Sequence, residues 1–388
     1  MIHAPSLLPD EDARGYWGRV MRLNGVPVAP HNEATFTSAT RNRLVTDHGV
    51  KPGMAEVLCA VASIPMTTLV HAHTLIPFSG AILAVVNGDW CGNSHTSKEL
   101  RRVATHPNAR SRSLCRECVG EDLDFWGFSY WRRSHQLHGV VWCTKHGCAL
   151  LRAQAHDTWQ TMPSEALPNA QSVSDAVVEQ ALAHPVLLRY AETCNELLNL
   201  KRPLSTFQVV RAMTRRARSL GLMHETETTG GKLSEYAASC ISGPWQREFW
   251  SNAPGAPLDS CFHALDATLS RLLGTCEADA YALAIALLYD SVDDALNELS
   301  TPLPLLSEFL PLANEEADKR LPHEHPCDGQ ANLLRRARLQ QSIELVLNGH
   351  PLHDSARMHG WSVPTLERMM HSCLTHSQSR VDQLLHLC

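Results

Sequence analysis

Two residue pairs in this chain have the spacing of a metal-binding set. Cys115-Arg-Glu-Cys118 is followed, after 24 residues, by Cys143-Thr-Lys-His146. A two-residue gap turns the chain so that both side chains of a pair face one ion, and the spacer returns the second pair across from the first. Three thiolates and an imidazole form a soft tetrahedral set that suits one zinc ion per chain. All four positions are filled by protein, so the site is expected to be structural and closed to substrate. Cys148, His135 and His138 lie close enough in sequence to replace one of the four.

The spacer supports a small metal-pinned module. Phe125, Trp126, Phe128, Tyr130, Trp131 and Trp142 are six of the chain's 23 aromatic residues, placed between the two pairs. So short a segment cannot build a large core, and rings and metal must share the task. On this reading, loss of the ion unfolds the module locally. Cys143→Ala is then expected to disrupt residues 98–151 and leave the helices that follow intact.

A basic stretch precedes the module. Residues 98–112 hold Arg101, Arg102, Arg110, Arg112 and Lys98 against a single Glu99. Within the module, Arg132 and Arg133 would project to opposite faces if their segment is a strand. Together these arginines offer a phosphate-binding surface. The alternative is solvated arginines beside the acidic residues Glu121, Asp122 and Asp124. The first reading predicts that reversing both Arg132 and Arg133 to Glu abolishes complex assembly without changing metal content.

The elements around the module read mainly as helix. Residues 10–24 form a capped amphipathic helix, with Asp10, Glu11 and Asp12 at its positive end and Tyr16, Trp17, Val20 and Leu23 on one stripe. A loop is expected over 26–36. Residues 52–75 suggest two short helices, the second capped by Ser63 with Pro65 in its first turn, in a helix-turn-helix-like layout that any packed helix pair would share. Residues 76–97 suggest a strand or buried segment. A Pro/Ser/Asn-rich linker is expected at 160–175 and another at 314–331, with helices between them at 175–199, 205–220, 233–250, 258–274, 278–298 and 303–313.

Residues 335–372 suggest three further helices: 338–347, 352–359, and 363–371 after a Gly360-Trp361-Ser362 turn with Ser362 as the cap. In a helix-turn-helix the last would present Thr365, Glu367, Arg368 and His371. A bundle that binds protein, or nothing, has the same pattern. The expected organisation is therefore an N-terminal helix-turn-helix-like region (1–97), a zinc-finger module (98–155), a helical domain (175–313) and C-terminal helix-turn-helix-like helices (332–388).

Charge limits the function. The chain of 388 residues carries a net charge of -6. Residues 1–150 hold 15 Lys+Arg against 12 Asp+Glu, residues 151–329 hold 13 against 24, and residues 330–388 hold 6 against 4. Bulk charge cannot hold this protein on nucleic acid, so any such contact is local. The thirteen cysteines, mostly isolated, read as reduced thiols. With no leader-like start and no apolar run of spanning length, a cytoplasmic location without a membrane is expected. No phosphate-binding Gly-rich loop, dinucleotide turn, His-Glu-x-x-His or zinc-deaminase pattern is present, and no enzymatic activity is expected.

Several phrases together resemble the TniQ/TnsD family. Leu114-Cys-Arg-Glu-Cys118, Glu121-Asp122, Tyr130-Trp131-Arg132, His135-Gln136-Leu137, Cys143-Thr-Lys-His146-Gly147 and Leu150-Leu151 are similar to its zinc-binding core. Pro9-Asp-Glu11, Trp17, Arg19 and Asn24-Gly25 resemble its opening helix, and His73-Thr-Leu-Ile-Pro-Phe78 its phrase before the finger. The resemblance runs over residues 7–151. It implies a bacterial target selector for DNA transposition that links a target to an AAA+ ATPase regulator and, through it, to the transposase.

Some members of that family read an attachment site in target DNA, while others dimerise on an RNA-guided CRISPR complex. The resemblance assigns Cys115, Cys118, Cys143 and His146 as zinc ligands. It makes the basic residues around them, Arg101, Arg102, Arg110, Arg112, Arg132 and Arg133, candidate contacts to nucleic acid or partner, and the helix-turn-helix pattern adds Ser362, Thr365 and Arg368 of the C-terminal unit. The second cysteine cluster of many members is missing here, where Cys148 stands alone. The short C-terminal half favours the CRISPR-docking type over a stand-alone attachment-site binder. A zinc-containing transcription regulator is the other alternative.

Overall fold

Asp12 ends an extended N-terminal arm. Its carboxylate accepts the Arg14 amide (2.9 Å) and starts α1 (Ala13–Leu23). Glu11 has a different role from the expected one at the helix end. It is fully buried, accepts the Leu8 amide, and is gripped by Arg19 through Nε (2.9 Å) and Nη2 (2.7 Å). The computed structural model describes residues 2–28, 30–44, 52–83, 112–154, 159–223, 233–250, 262–270, 277–300, 342 and 352–366.

Tyr16, Trp17, Val20 and Met21 form the buried face of α1, whereas Leu23 of the expected stripe is exposed. They pack on Val57 and Leu58 of α3 (Met54–Ala62) and Leu69 of α4 (Met66–His73). Before these comes α2 (Pro30–Arg43), where a loop was expected over 26–36. Its sequence has almost no apolar face. Phe36, 5.4 Å from the Trp17 ring, ties it to the core. Ser63 ends α3 in the left-handed conformation (φ 55°) and does not cap α4, and Pro65 stands just before α4's first turn. The two helices bend by 100° at this joint.

Next come α5 (Ile76–Ser79) and β1 (Ile82–Leu83), then β2 (Ser113–Leu114) and α6 (Arg116–Trp126). β3 (Leu151–Arg152), α7 (Pro163–Ala166) and β4 (Gln171–Ser172) complete a three-stranded antiparallel sheet of order β2-β3-β4. Residues 160–175 are thus folded and are not a linker. Ala166, Leu167, Ala170 and Trp159 pack on Leu114 and Trp131, which a reading of local polarity cannot reveal.

The remaining chain is helical. α8 (Asp175–Ala183) and α9 (Pro185–Asn199) replace the single expected helix, because Pro185 starts a new one. β5 (Leu204–Ser205) pairs parallel with β1. α10 (Thr206–Ser219), α11 (Leu233–Ile241), α12 (Pro244–Phe249), α13 (His263–Ser270), α14 (Ala278–Leu288) and α15 (Val292–Leu299) follow. Every residue of α14 from Ala280 to Leu288 is buried, which makes it the central helix of this half. The expected helix at 303–313 and linker at 314–331 lie outside the described residues. Among the described residues no single helix is long and apolar enough to cross a membrane.

In the C-terminal unit, α16 (Leu352–His359) ends at Gly360 (φ 73°), and Ser362 accepts the Thr365 amide (3.3 Å) at the start of the next helix. The turn and cap are as expected. Residues 335–341, 343–351 and 367–372 lie outside the described residues.

The expected domain boundaries are crossed by packing. One core cluster runs from Cys115, Cys118 and Cys143 through Leu137, Val140, Val141 and Leu150 into α9 and α14. The Tyr190 hydroxyl donates to the His138 carbonyl, and the Trp245 indole to the Gly139 carbonyl (2.9 Å each). At the front boundary, the Asp12 amide donates to the Trp131 carbonyl (2.8 Å) and the Arg133 amide to that of Asp10 (2.9 Å). Gly15 and Gly18 let α1 approach. A Cβ at Gly15 would lie 2.8 Å from Trp131 Cβ, and one at Gly18 2.1 Å from the Trp159 carbonyl oxygen.

One of these ties is pH-dependent. His138 Nδ1 lies 3.2 Å from the Asp279 carboxylate at the start of α14. Burial acts to lower the imidazole pKa, but the Asp279 hydrogen bond and charge outweigh it, so the net shift is upward. The ion pair therefore contributes its full stability below the ordinary histidine range and loses it as pH rises through the raised value. Asp279→Asn is expected to move the His138 titration downward and to remove that pH dependence, as read by NMR titration and thermal melts. An unchanged titration would refute the tie.

Candidate metal centre

Cys115 is the N-cap of α6, and its sulfur accepts the Cys118 amide (3.4 Å). Helix geometry thereby places both sulfurs at one end of α6. The second pair sits in a tight turn. The Cys143 amide donates to the Cys148 carbonyl and the Gly147 amide to the Cys143 carbonyl (2.7 Å each), with Gly147 in the left-handed region (φ 64°). That turn aims Cys143 Sγ and His146 Nδ1 back at α6.

The four donor atoms lie within 4.8 Å of one another. His146 Nδ1 stands 3.5, 3.3 and 3.6 Å from the sulfurs of Cys115, Cys118 and Cys143, and the last two sulfurs are 3.8 Å apart. A tetrahedral ion with metal–sulfur bonds of about 2.3 Å and metal–nitrogen bonds of about 2.0 Å needs donor separations of about 3.5–3.8 Å. The arrangement fits such an ion, and Cys115, Cys118, Cys143 and His146 could hold it. The three cysteines are buried, with relative exposures of 0%, 3% and 2%.

Burial and mutual hydrogen bonding set the three thiols apart from one another. Burial pushes the Cys115 thiol up to about 12. Cys118 is raised by the hydrogen bond it shares with Cys143 and then by burial, while Cys143 is lowered to about 2, chiefly by accepting that bond. Without a cation one sulfur takes the negative charge and its neighbours keep their protons. A divalent ion allows all three to ionise.

Of the alternative ligands, Cys148 places its sulfur 3.3 Å from that of Cys115, and His135 Nε2 lies 3.6 Å from Cys143 Sγ. Both border the mutually close set of four. His138 is turned to Asp279.

Glu121 is a member of the site that spacing alone does not reveal. Its carboxylate lies 3.0 Å from His146 Nε2 and also accepts from Lys145. One helical turn beyond Cys118, it orients the imidazole so that Nδ1 faces the sulfurs. Its sequence signal is a carboxylate three residues after a ligand cysteine. Glu121→Gln is expected to weaken metal affinity about 10- to 100-fold in competition with a chromophoric chelator, whereas Lys145→Ala has little effect. Equal affinity for both variants would remove Glu121 from the site.

The structure places the expected contact residues differently from one another. Arg132 is ion-paired with the buried Asp122, whose carboxyl burial raises to about 6 even beside the guanidinium. Arg133 is 5% exposed and spent on internal partners. It does not belong to a strand face. Its guanidinium pairs with Asp10 (3.0 Å) and donates to the carbonyls of His71 and Thr74 and to Asn199. Arg112 is also buried, 5.5 Å from the Trp159 ring centroid. Ser362 and Thr365 hydrogen-bond each other (2.7 Å). Arg101, Arg102, Arg110, Glu367, Arg368 and His371 lie outside the described residues.

The family model that matches this chain is described as TniQ and spans residues 3–150, from the N-terminal arm to just past the second ligand pair. Over that span the chain is similar to the TniQ family. No curated protein matches it. The TniQ segment contains all four donors, Glu121, and the arm that closes over the module. The match supports a transposition-associated role in broad terms.

Proposed function

We propose that this protein selects the target for DNA transposition without cutting DNA itself. It links a target-recognition complex to an AAA+ ATPase regulator and, through it, to the transposase. The observation that carries this reading is the TniQ match over a segment that keeps a complete Cys3His set with its three cysteines buried. Zinc held by Cys115, Cys118, Cys143 and His146, one ion per chain, supplies rigidity and no chemistry.

Within this role, docking on an RNA-guided CRISPR complex, as a homodimer, fits better than direct reading of an attachment site. The net charge of -6 opposes a DNA-led mode. Arg112, Arg132 and Arg133 are engaged inside the fold. Contacts to nucleic acid, if made, fall to Arg101, Arg102 and Arg110, and to the C-terminal unit with Ser362, Thr365 and Arg368.

Reconstituted insertion with the regulator and transposase tests the role. Omitting this protein is expected to abolish insertion at the target. Undiminished targeted insertion would refute the role. The docking mode is tested by sedimentation with a guide-loaded surveillance complex, where co-migration is expected. Tight, sequence-specific shift of duplex DNA by this protein alone would favour the attachment-site reader.

A further inference from the structure

The C-terminal turn of α6 carries the largest exposed apolar group in the module. Phe125 is 77% exposed, and Leu123 and Trp126 are each 42% exposed. Phe125 and Trp126 meet edge to face, with centroids 4.6 Å apart, so the tip is preformed. Gly127 (φ 75°) ends the helix directly behind it. Large rings held in water on a small module mark a contact surface.

The charge around the tip specifies what it contacts. Asp124 is exposed on α6 directly before Phe125, whereas the exposed Glu117 lies in the first turn, at the metal end. The carbonyl end of the helix adds negative potential at the tip. Phosphates of DNA would be repelled from this tip, while a lysine or arginine beside it would gain both from the Asp124 carboxylate and from the aromatic faces. We infer that the Leu123–Phe125–Trp126 tip, with Asp124 and the carbonyl end of the helix beside it, is a docking site for a cationic, apolar-bearing segment of a partner protein. Metal at the opposite end of the helix sets its position, since Cys115 and Cys118 belong to the first turn of α6. This holds whichever target the protein serves.

The test uses the full-length, zinc-loaded protein and a fluorescein-labelled amphipathic peptide of lysine and leucine, with its glutamate-for-lysine counterpart as control. Anisotropy is expected to show binding of the lysine peptide only. F125A/W126A is expected to weaken it roughly tenfold or more, and D124N to weaken it measurably, both with metal content unchanged. Equal binding by the variants, or no binding by the wild type, overturns the proposal. So does cross-linking of duplex DNA to the tip. Sedimentation showing a wild-type dimer that becomes monomeric in F125A/W126A would assign the tip to a second copy instead.

Discussion

Cys143→Ala is expected to lower bound metal from one ion per chain to none and to unfold far more than the loop around it. Zinc binding in small finger peptides is worth about 10–16 kcal/mol at neutral pH. Whole domains are stable by only about 5–15 kcal/mol. Cys115, Cys118 and Cys143 belong to the same buried cluster as Tyr190, Leu197, Trp245 and Leu283. Tyr190 and Trp245 also hydrogen-bond the carbonyls of His138 and Gly139 within the metal-pinned loop. An emptied site therefore loosens α9 and α12 as well, and the local unfolding expected from the sequence is replaced by a shared transition. Metal analysis and amide hydrogen exchange across residues 112–200 read this directly. Exchange increases confined to residues 112–154, with α9 protected as in the wild type, would refute the shared core.

Arg133→Ala is expected to cost about 3–5 kcal/mol, the range for removing one partner of a buried pair. The guanidinium joins three segments: Asp10 of the arm, the His71 and Thr74 carbonyls around the end of α4, and Asn199 at the end of α9. Alanine removes a donor from each of them, and the Asp10 carboxylate keeps another, from Ser134. The melting temperature should fall by roughly 4–6 °C, since the shift per kcal/mol shrinks with chain length and this chain has 388 residues. Arg152→Ala, which removes an exposed pair with Glu248 (2.7 Å), should cost no more than about 1 kcal/mol. Similar melts for the two variants would refute the central role of Arg133. The double reversal of Arg132 and Arg133 to Glu consequently reports on folding, and its effect on complex assembly cannot be assigned to a lost contact.

Several elements were legible before any coordinates. α1, α3, α4, α10 and the Gly360–Ser362 turn carry their own periodicity, caps or glycines, so local chemistry identifies them. α2 was not legible because its sequence is polar on every side, and its ties to the core are Phe36 against Trp17, Thr37 accepting the Trp17 indole N–H, and the buried Thr40. The segment at 160–175 reads as a linker because its order comes from partners distant in the chain. Trp131, for instance, donates its indole N–H to the Thr161 carbonyl (2.8 Å).

The candidate site divides in the same way. The sequence by itself determined the donor set, since ligand type and two-residue spacing are local properties, and the TniQ resemblance follows from the same phrases. Tertiary structure decided what a linear reading leaves open: that Arg133 is an internal clamp, that Glu121 orients His146, and that the module shares its core with the C-terminal helices. The physical reason is burial. Whether a charged side chain faces water or a partner depends on segments that are remote along the chain and adjacent only after folding.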